Sequence, residues 1–369
     1  MKLTVTRKEL HDALQVVSRV VSTQSTLPVL RNVLIEPVEG HVRFSATDLE
    51  LGVEVLIPAR IHEPGVITVP ARTLLEIVSG LPEADVSLGS DDQHHLILSC
   101  RRSDYRINGL GSDDFPPLPE VGGHVSLTLA QPVMKEMIRQ TALAVSTDDT
   151  RPILTGVCLV VMPDRLRLVA TDTHRLALRT SQVPQAQGET TVIVPVRALN
   201  ELSRVLSDDP QDTLDIRVDQ NQVLFKTDRI VLVSRLIEGQ FPRFERVIPD
   251  GYTRRLALQR DELLSALRRA RIFARDGSAK DRVIFETVGD SLVITAETGD
   301  LGNAREEISV EREGEETRIA FNVSYLLDVL GVLSSEGVHV EMTEPLNASV
   351  IRPIDGEDYL MVVMPMQLQ

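Results

Sequence analysis

The sequence has only two cysteines, Cys100 and Cys158, and they stand in unrelated contexts. Such a chain cannot build a disulfide framework and fits a reducing cytosol. No stretch of about 18 uncharged apolar residues occurs, which is the length that a membrane-spanning helix needs. The opening segment "MKLTVTRKELHDALQ" carries charges where a secretory signal would be apolar. These absences predict a cytoplasmic protein without a membrane segment.

Basic residues are also scarce relative to acidic ones. The 369 residues include 39 lysines and arginines against 54 aspartates and glutamates, a formal net charge of -15. This excess opposes adhesion of the whole surface to nucleic acid or anionic lipid, but it leaves room for a local basic region. Apolar residues make up 42% of the chain, enough to build a full core in each of two or three domains.

The chain repeats one pattern three times. "LTVTRKELHDALQVVSRVV" begins at Leu3, "LTLAQPVMKEMIRQTALAV" at Leu127 and "LALQRDELLSALRRARIFA" at Leu256. Each begins with a short alternating strand and continues with apolar residues at helical spacing, which is typical of an amphipathic helix on a sheet. Two further landmarks recur in the same order: "FSATDLELGVEV", "LVATDTHRLALR" and "ITAETGDLGNAREEI", then "VPARTLLEIVSGL", "VPVRALNELSRVL" and "FNVSYLLDVLGVL". The period of about 125 residues is an ordinary domain size.

We therefore predict three copies of one α+β domain, at 1–122, 123–252 and 253–369. Each copy should have two helices on one side of an antiparallel sheet, because the segments between the landmarks alternate between apolar and polar residues. The predicted helices are 7–21, 72–79, 132–145, 197–206, 260–275 and 324–333.

These helices carry 13 basic and 8 acidic residues, so the rest of the chain is strongly acidic. The basic residues either belong to an ordinary solvated helix face, or helices from all three copies face a shared polyanion. The separation of positive helices from negative strands favours the shared polyanion.

The motif "LVATDTHRLALR" places Asp172, His174 and Arg175 close together, as in a catalytic site. Asp172 stands where the first copy has Asp48 and the third has Glu297, which favours a recurring turn whose carboxylate accepts backbone N–H groups. A catalytic pair also needs a nucleophile or second acid within hydrogen-bond reach, and the sequence implies none. His94 and His95 lack the spacing of a zinc site, and no phosphate-binding loop occurs. We expect no catalytic residue, metal or cofactor.

Several segments, in order, closely resemble the bacterial DNA polymerase III beta subunit family, the DNA sliding clamps. They are "TLPVLRNVLIE", "TDLE", "VPAR", "ATDTHRLAL", "IEGQFPRFERVIP", "FNVSYLLDVL" and "VVMPM", and together they span the chain. The resemblance implies a head-to-tail homodimer: six similar domains form a ring whose helices surround double-stranded DNA without reading its sequence. It implies no catalysis, but a processivity role through tethering of the replicative polymerase.

By matching positions, the resemblance implies three DNA-facing residues, Arg72, Arg151 and Arg197. The loop Thr23-Gln24-Ser25 lacks an arginine that members of the family often have there, so the resemblance gives no DNA contact from it. Ile272 and Phe273 match the apolar dimer interface, although the helical spacing equally places Phe273 in the core.

The resemblance also implies a hydrophobic pocket between the second and third domains. It binds short peptide motifs of polymerases, including translesion polymerases, of the clamp loader and of repair proteins. The matching residues are Leu154, Thr171, His174, Arg175, Leu176, Pro242, Arg246, Val247, Asn322, Tyr325, Val362, Val363, Met364, Pro365 and Met366. Thr173 replaces a usual glycine or serine, and Gln367 a usual basic residue, which can tune peptide preference. Two alternatives stay open: a hydrolytic enzyme using Asp172 and His174, and a scaffold that binds peptides but not DNA.

Overall fold

Each sequence copy begins with a strand that leads directly into a helix. The computed structural model describes residues 1–22, 26–274, 281–298, 302–356 and 358–368. The elements of the first copy are β1 (Lys2–Thr6), α1 (Arg7–Val17), β2 (Asn32–Val38), β3 (His41–Thr47), β4 (Leu51–Pro58), β5 (Arg60–Glu63), β6 (Ile67–Pro70), α2 (Ala71–Ser79), β7 (Asp85–Ser90), β8 (His95–Cys100) and β9 (Ser103–Asn108).

The second and third copies repeat this order with few changes. The second has β10 (Val125–Ala130), α3 (Gln131–Thr141), β11 (Gly156–Met162), β12 (Arg165–Thr171), β13 (Arg175–Gln182), β14 (Thr190–Pro195), α4 (Val196–Val205), β15 (Thr213–Val218), β16 (Gln222–Lys226) and β17 (Ile230–Arg235). The third has β18 (Arg254–Gln259), α5 (Arg260–Ala274), β19 (Arg282–Val288), β20 (Ser291–Thr298), β21 (Gly302–Ser309), β22 (Glu311–Glu313), β23 (Arg318–Asn322), α6 (Val323–Val332), β24 (Gly337–Met342), β25 (Ser349–Pro353) and β26 (Tyr359–Val363).

The six predicted helices are confirmed, with differences at their ends. The Thr6 side chain caps α1 by accepting a hydrogen bond from the Glu9 backbone N–H, which satisfies one of the unpaired donors of the first turn. This helix ends at Val17 instead of continuing to residue 21, yet Val20 and Val21 stay buried in the turn that follows. The residues that the helical spacing places on the apolar faces are Leu10, Ala13, Leu14, Val17, Val20 and Val21 in the first copy, Met134, Met137, Ile138, Thr141, Ala144 and Val145 in the second, and Leu263, Ala266, Leu267, Ala270, Phe273 and Ala274 in the third. All are buried except Val145 and Phe273, which are partly exposed.

The described residues form two compact units, and each contains two antiparallel sheets. The first unit comprises Met1–Pro132, Gln185–Gly188 and Glu201–Leu236. Its sheets have the strand orders β5-β1-β7-β8-β9 and β10-β15-β16-β17-β4-β3-β2-β6. The larger sheet combines four strands of the first copy with four of the second, joined by pairing of β4 with β17.

The second unit comprises Val133–Pro184, Glu189–Asn200 and Ile237–Gln369. Its sheets have the orders β14-β11-β12-β13-β26-β25-β24-β18-β22 and β21-β20-β19-β23. Here strands of the second and third copies join through pairing of β13 with β26. Because the two units divide the second copy, the three domains with boundaries near residues 122 and 252 remain a prediction.

Both cysteine side chains lie in the interior. Cys100 is 1% exposed and Cys158 is 0% exposed. Burial, with a smaller contribution from the charge of Glu245, raises the pKa of the Cys158 thiol to about 12. A thiol with such a pKa carries almost no thiolate near neutral pH, so it is a poor nucleophile.

In the described part of the chain, no helix combines the length and the apolar character needed to cross a membrane.

We predict that neither thiol of the native protein reacts readily with Ellman's reagent at mildly alkaline pH, whereas both react once guanidinium unfolds the chain. Burial blocks access to both side chains, and the raised pKa further suppresses the thiolate of Cys158. Absorbance of the released thiolate dye measures the reaction. Rapid release of dye from the folded protein would contradict this placement of the cysteines.

Candidate functional site

The turn between β12 and β13 is built by Thr171 and Asp172. One carboxylate oxygen of Asp172 accepts hydrogen bonds from the backbone N–H groups of His174 and Arg175, both at 2.9 Å. The Thr171 hydroxyl donates to the Arg175 carbonyl at 2.7 Å and accepts from the Thr173 N–H at 3.1 Å. The carboxylate is therefore used to hold the backbone, as the sequence predicts for a recurring turn.

The first copy has the same turn between β3 and β4. Asp48 accepts hydrogen bonds from the N–H groups of Glu50 and Leu51, and the Thr47 hydroxyl donates to the Leu51 carbonyl. The residue after each aspartate, Leu49 or Thr173, has a φ angle of 79°. Part of the third-copy turn, residues 299–301, lies outside the described residues.

The geometry does not support a catalytic Asp172–His174 pair. The second carboxylate oxygen of Asp172 accepts a hydrogen bond from Arg175 Nε at 3.0 Å, so the guanidinium and the turn both use this carboxylate. In the part of the chain that the structure describes, the exposed His174 ring makes no hydrogen bond; the residue is held through its backbone. The described residues also contain no group of three His, Cys, Asp or Glu side chains suited to a metal ion.

Arg175 joins the turn to helix α6. Its Nη1 lies 2.5 Å from Asp328 Oδ2, and its guanidinium lies 4.4 Å from the ring centre of Tyr325. The Arg175 side chain is only 11% exposed, so these contacts form in a partly desolvated place where they are stronger than at an open surface. Burial, followed by the charge of Asp172, raises the pKa of Tyr325, while the charge of Arg175 lowers it.

An apolar cluster lies beside this turn. It is built from residues of the second and third copies and of the segment between them: Leu154, Cys158, Val169, Leu176, Leu178, Ile193, Phe241, Phe244, Val350, Leu360 and Val362. Phe241 and Phe244 anchor the segment "IEGQFPRFERVIP", and thereby hold the exposed residues Pro242, Arg246 and Val247 next to the cluster. The sequence analysis did not assign these two phenylalanines to the site. Two phenylalanines close together in a chain with only 3% aromatic residues are a signal that could have indicated an apolar anchor.

The C-terminal segment crosses the same region. Val362 pairs with Leu176, and Val363 with Arg175, in the β13–β26 ladder. The chain then leaves the strand: the Met364 N–H donates to the His174 carbonyl at 2.9 Å, and the Met366 N–H donates to the Ala320 carbonyl at 2.8 Å. The tail is thereby fixed at both the turn and the end of β23.

The predicted pocket residues thus come together as a buried floor and an accessible rim. Leu154, Thr171, Leu176, Val362 and Val363 are buried. The exposed residues are His174, Pro242, Arg246, Val247 and Met364, and the half-buried ones are Arg175, Asn322, Tyr325, Pro365 and Met366. Asn322 also caps α6 by accepting a hydrogen bond from the Ser324 N–H at 2.9 Å. Such an apolar floor with a few polar groups and flexible methionines suits a ligand site.

The three predicted basic residues are all exposed, and two of them share a repeat position. Arg72 and Arg197 are exposed and occupy the same repeat position, the second residue of α2 and of α4. Arg151 is exposed as well, but it contacts Asp148 at 3.2 Å. Hydrogen bonds from Thr150, and then Arg151, lower the pKa of Asp148. The loop Thr23-Gln24-Ser25 lies outside the described residues.

The two predicted interface residues lie near the end of α5. Ile272 is 60% exposed, an unusual exposure for a large apolar side chain. Phe273 is half-buried, so it belongs only partly to the core.

Comparison with known families matches nearly the whole chain to one of them. The models of the DNA polymerase III beta subunit match over residues 1–119 for the N-terminal domain, 128–243 for the central domain and 245–367 for the C-terminal domain. The beta sliding clamps of Staphylococcus epidermidis and Staphylococcus aureus are each 32% identical, with 100% of this chain and 99% of theirs covered.

Solved structures give the same result. The chain is similar to the DNA polymerase sliding clamp of Bacillus subtilis, with a TM-score of 0.94 and 32% identity. It is also similar to the sliding clamp of Pseudomonas aeruginosa bound to griselimycin, with a TM-score of 0.94 and 34% identity. Both alignments cover 100% of each chain.

We predict that Thr173→Gly stabilises the fold by about 0.5–1 kcal/mol. A side chain with a Cβ at this φ of 79° is strained by roughly 1–2 kcal/mol, which exceeds the entropic cost of glycine. The shift in the urea-unfolding midpoint measures the effect. Leu49→Gly should act in the same direction, whereas Thr213→Gly, at a strand position without positive φ, should destabilise. A lower midpoint for Thr173→Gly would show that the turn is not strained.

Proposed function

The chain belongs to the bacterial DNA polymerase III beta subunit family and is a DNA sliding clamp, and we propose that two copies close head to tail into a ring around duplex DNA. In this proposal the ring has no catalytic activity. It acts in the cytoplasm and tethers the replicative polymerase, the clamp loader, and repair and translesion polymerases through their short peptide motifs.

The observation that carries the ring is the way in which sheets cross from copy to copy. Strand β4 of the first copy pairs with β17 of the second, and β13 of the second copy pairs with β26 of the third. The corresponding strands that remain are β21 in the third copy and β9 in the first. Within the described residues both are edge strands, of a four-stranded and a five-stranded sheet. An edge strand presents unpaired backbone groups, and a second copy of the chain offers the matching edge.

The repeat also gives the register of this contact. In the second and third copies, rows of paired residues run across the sheet into the preceding copy: Leu127, Ile216, Phe225, Leu232 and Val53; Leu256, Val340, Ile351, Met361 and Ala177. The first-copy row is Leu3, Leu88, Leu98 and Tyr105. In the other two rows the last residue is Val53 or Ala177, and these pair with Ala46 and Ala170. The equivalent alanine of the third copy is Ala296, which pairs with Ala304. Ala304 is therefore the residue that would continue the first-copy row. Tyr105 should therefore lie opposite Ala304 of the partner subunit.

The charges agree with this register. Antiparallel pairing from Tyr105 places Asp104 opposite Arg305 of the partner subunit, and Arg102 opposite Glu307 of the partner subunit. All four side chains belong to exposed residues. Opposite charges directly across an antiparallel pair stabilise it, whereas like charges would oppose it.

The helix positions supply a second contact. Ile272 occupies the repeat position of Arg19, whose Nη1 lies 3.9 Å from Glu201 Oε2 of the next copy. A residue at this position therefore reaches across a copy boundary, which suits the exposed Ile272 to the subunit interface. Phe273 corresponds to the buried residues Val20 and Ala144, so we propose that it supports Ile272 from the edge of the core.

DNA binding is assigned to the helix arginines. Arg72 and Arg197 are exposed at equivalent positions, where they can contact phosphates without reading bases. Arg151, which contacts Asp148, would exchange this carboxylate for a phosphate. Contacts of this kind allow the ring to slide.

Partner binding is assigned to the rim and floor around Arg175. The floor is apolar and the rim contains accessible methionine and proline side chains, which suits short peptides of differing sequence. The relative from Pseudomonas aeruginosa is bound to griselimycin, so this compound is a convenient probe. Exposed Thr173 and Gln367 stand at the rim, where they can tune preference.

We predict that a chain carrying Tyr105→Cys and Ala304→Cys forms a covalent dimer on mild oxidation. Directly opposed residues in an antiparallel pair have Cα atoms about 4.5–5.5 Å apart, within the range that a disulfide spans. If dilute reduced protein is oxidised with nicked circular duplex DNA, the dimer should resist high salt on the circle and slide off after linearisation. Non-reducing electrophoresis and gel filtration measure both results.

The matched control pairs Tyr105→Cys with Asn303→Cys, which is one residue out of register and points to the other face of the strand. It should cross-link poorly. Equal cross-linking by both variants would refute the register. A covalent dimer that salt removes equally from circular and linear DNA would refute encirclement.

We predict that Arg72→Glu together with Arg197→Glu shortens the lifetime of the clamp on linear duplex DNA, where no topological link retains it, about tenfold at low salt, because phosphate contacts are lost and replaced by repulsion. Fluorescence of a labelled clamp measures this lifetime, and its dependence on salt should become weaker. Arg217→Glu, an exposed strand position, is the control with the same kind of charge change. An unchanged lifetime would assign DNA contact to other residues.

A further inference from the structure

Helix α6 presents two side chains to Arg175. Tyr325 and Asp328 are three residues apart and therefore share a face of the helix. The Arg175 guanidinium lies 4.4 Å from the Tyr325 ring centre, and its Nη1 lies 2.5 Å from Asp328 Oδ2. We propose that Asp328 is a positioning residue of the partner-binding site, because it fixes Arg175 against Tyr325 before a ligand arrives. This inference rests on the proposed peptide site.

The contacts hold the guanidinium from two sides. Asp172 accepts from Nε at 3.0 Å and is itself fixed by the turn, so it sets one end of the guanidinium. Asp328, on the third copy, sets the other end. Without the second carboxylate, Arg175 could rotate about Asp172 and leave the Tyr325 ring.

Burial makes this restraint significant. The side chains of Arg175 and Asp172 are 11% and 15% exposed, while that of Asp328 is 45% exposed. A guanidinium that is largely removed from water loses more when a partner is deleted than one at an open surface. The partly accessible Asp328 can still be replaced without opening the core.

The charges around Arg175 indicate what the wall formed by Arg175 and Tyr325 presents to a ligand. Two carboxylates contact one guanidinium, so the positive charge of Arg175 is already balanced and offers little attraction to an acidic ligand group. What remains accessible is the Tyr325 ring and the stem of the arginine, next to the apolar cluster. The chemistry of this wall therefore suits an apolar side chain, and its contribution is a fixed shape. A ligand that meets an unfixed wall must order it on binding, which weakens affinity.

The repeat provides a matched control. The position of Asp328 corresponds to Glu201 in α4, since both lie seven residues after the equivalent residues 194 and 321. Glu201 is also in contact with arginines, Arg19 and Arg204, but it belongs to the first unit and has no role in the proposed peptide site. Glu201→Gln thus removes an ion-paired carboxylate at the same helical position.

The test compares griselimycin binding by the full-length protein and its variants, measured by isothermal titration calorimetry. Asp328→Asn should raise the dissociation constant about three- to tenfold, because the wall must then be ordered on binding. Asp328→Glu should recover at least half of this loss on a logarithmic scale. Glu201→Gln should bind like the wild type, and all variants should unfold within about 2 °C of it.

Each contrary result overturns the inference in a distinguishable way. Wild-type affinity in Asp328→Asn would show that Arg175 needs no positioning. Equal weakening by Glu201→Gln, or weakening that Asp328→Glu does not relieve and that accompanies a large loss of thermal stability, would indicate a general structural effect. Absence of griselimycin binding by the wild type would contradict the proposed peptide site, on which this inference rests. Ring closure and DNA retention are tested separately with the cross-linked dimer.

Discussion

The structure depends on backbone hydrogen bonds that do not stop at the boundary of a sequence copy. Each copy alone would leave an edge strand with unpaired N–H and C=O groups, and such an edge is a site for uncontrolled pairing. The chain satisfies two of these edges internally, through β4 with β17 and β13 with β26. These junctions give sheets of eight and nine strands; the remaining five-stranded and four-stranded sheets would together make another nine. The repeat thus gives a physical reason for the proposed assembly, because a second chain offers the strand that matches the remaining edge.

The same constraint places the candidate partner site. Pairing of β13 with β26 brings the C-terminal segment to the turn at Asp172, so that the Met364 N–H reaches the His174 carbonyl. The β4–β17 junction has the same turn chemistry, but Leu51 stands in place of Arg175. The same backbone turn is therefore followed by an ion-paired arginine at the junction of the proposed partner site and by a leucine at the other junction. The difference comes from single residues and not from the fold.

Local patterns explain what the sequence could predict. The helices follow from apolar spacing, and the Asp172 turn follows from its match with Asp48, because both depend on neighbours within a few residues. The contact of Arg175 with Asp328 joins residues 153 positions apart, and Phe241 and Phe244 bury themselves against strands of two copies. Such contacts are set by the register between distant strands, which periodicity does not encode. The resemblance supplied Arg175 and Tyr325, but it did not supply the carboxylate that holds them together.

The electrostatics of the helices fit the proposed ring, which topology and not affinity would retain on DNA. The count of 13 basic against 8 acidic helix residues overstates the positive charge available, since Arg139 contacts Glu136, Arg204 contacts Glu201 and Arg260 contacts Asp261. Retention by contact with many phosphates would make the binding of a protein to DNA strongly dependent on salt. The proposed closed ring would need only enough positive charge to stay centred on the duplex, and the net charge of -15 opposes adhesion of the rest of its surface to DNA. In the proposed ring, closure of the last sheet edge would provide the retention on DNA, so tight binding to phosphates would not be needed.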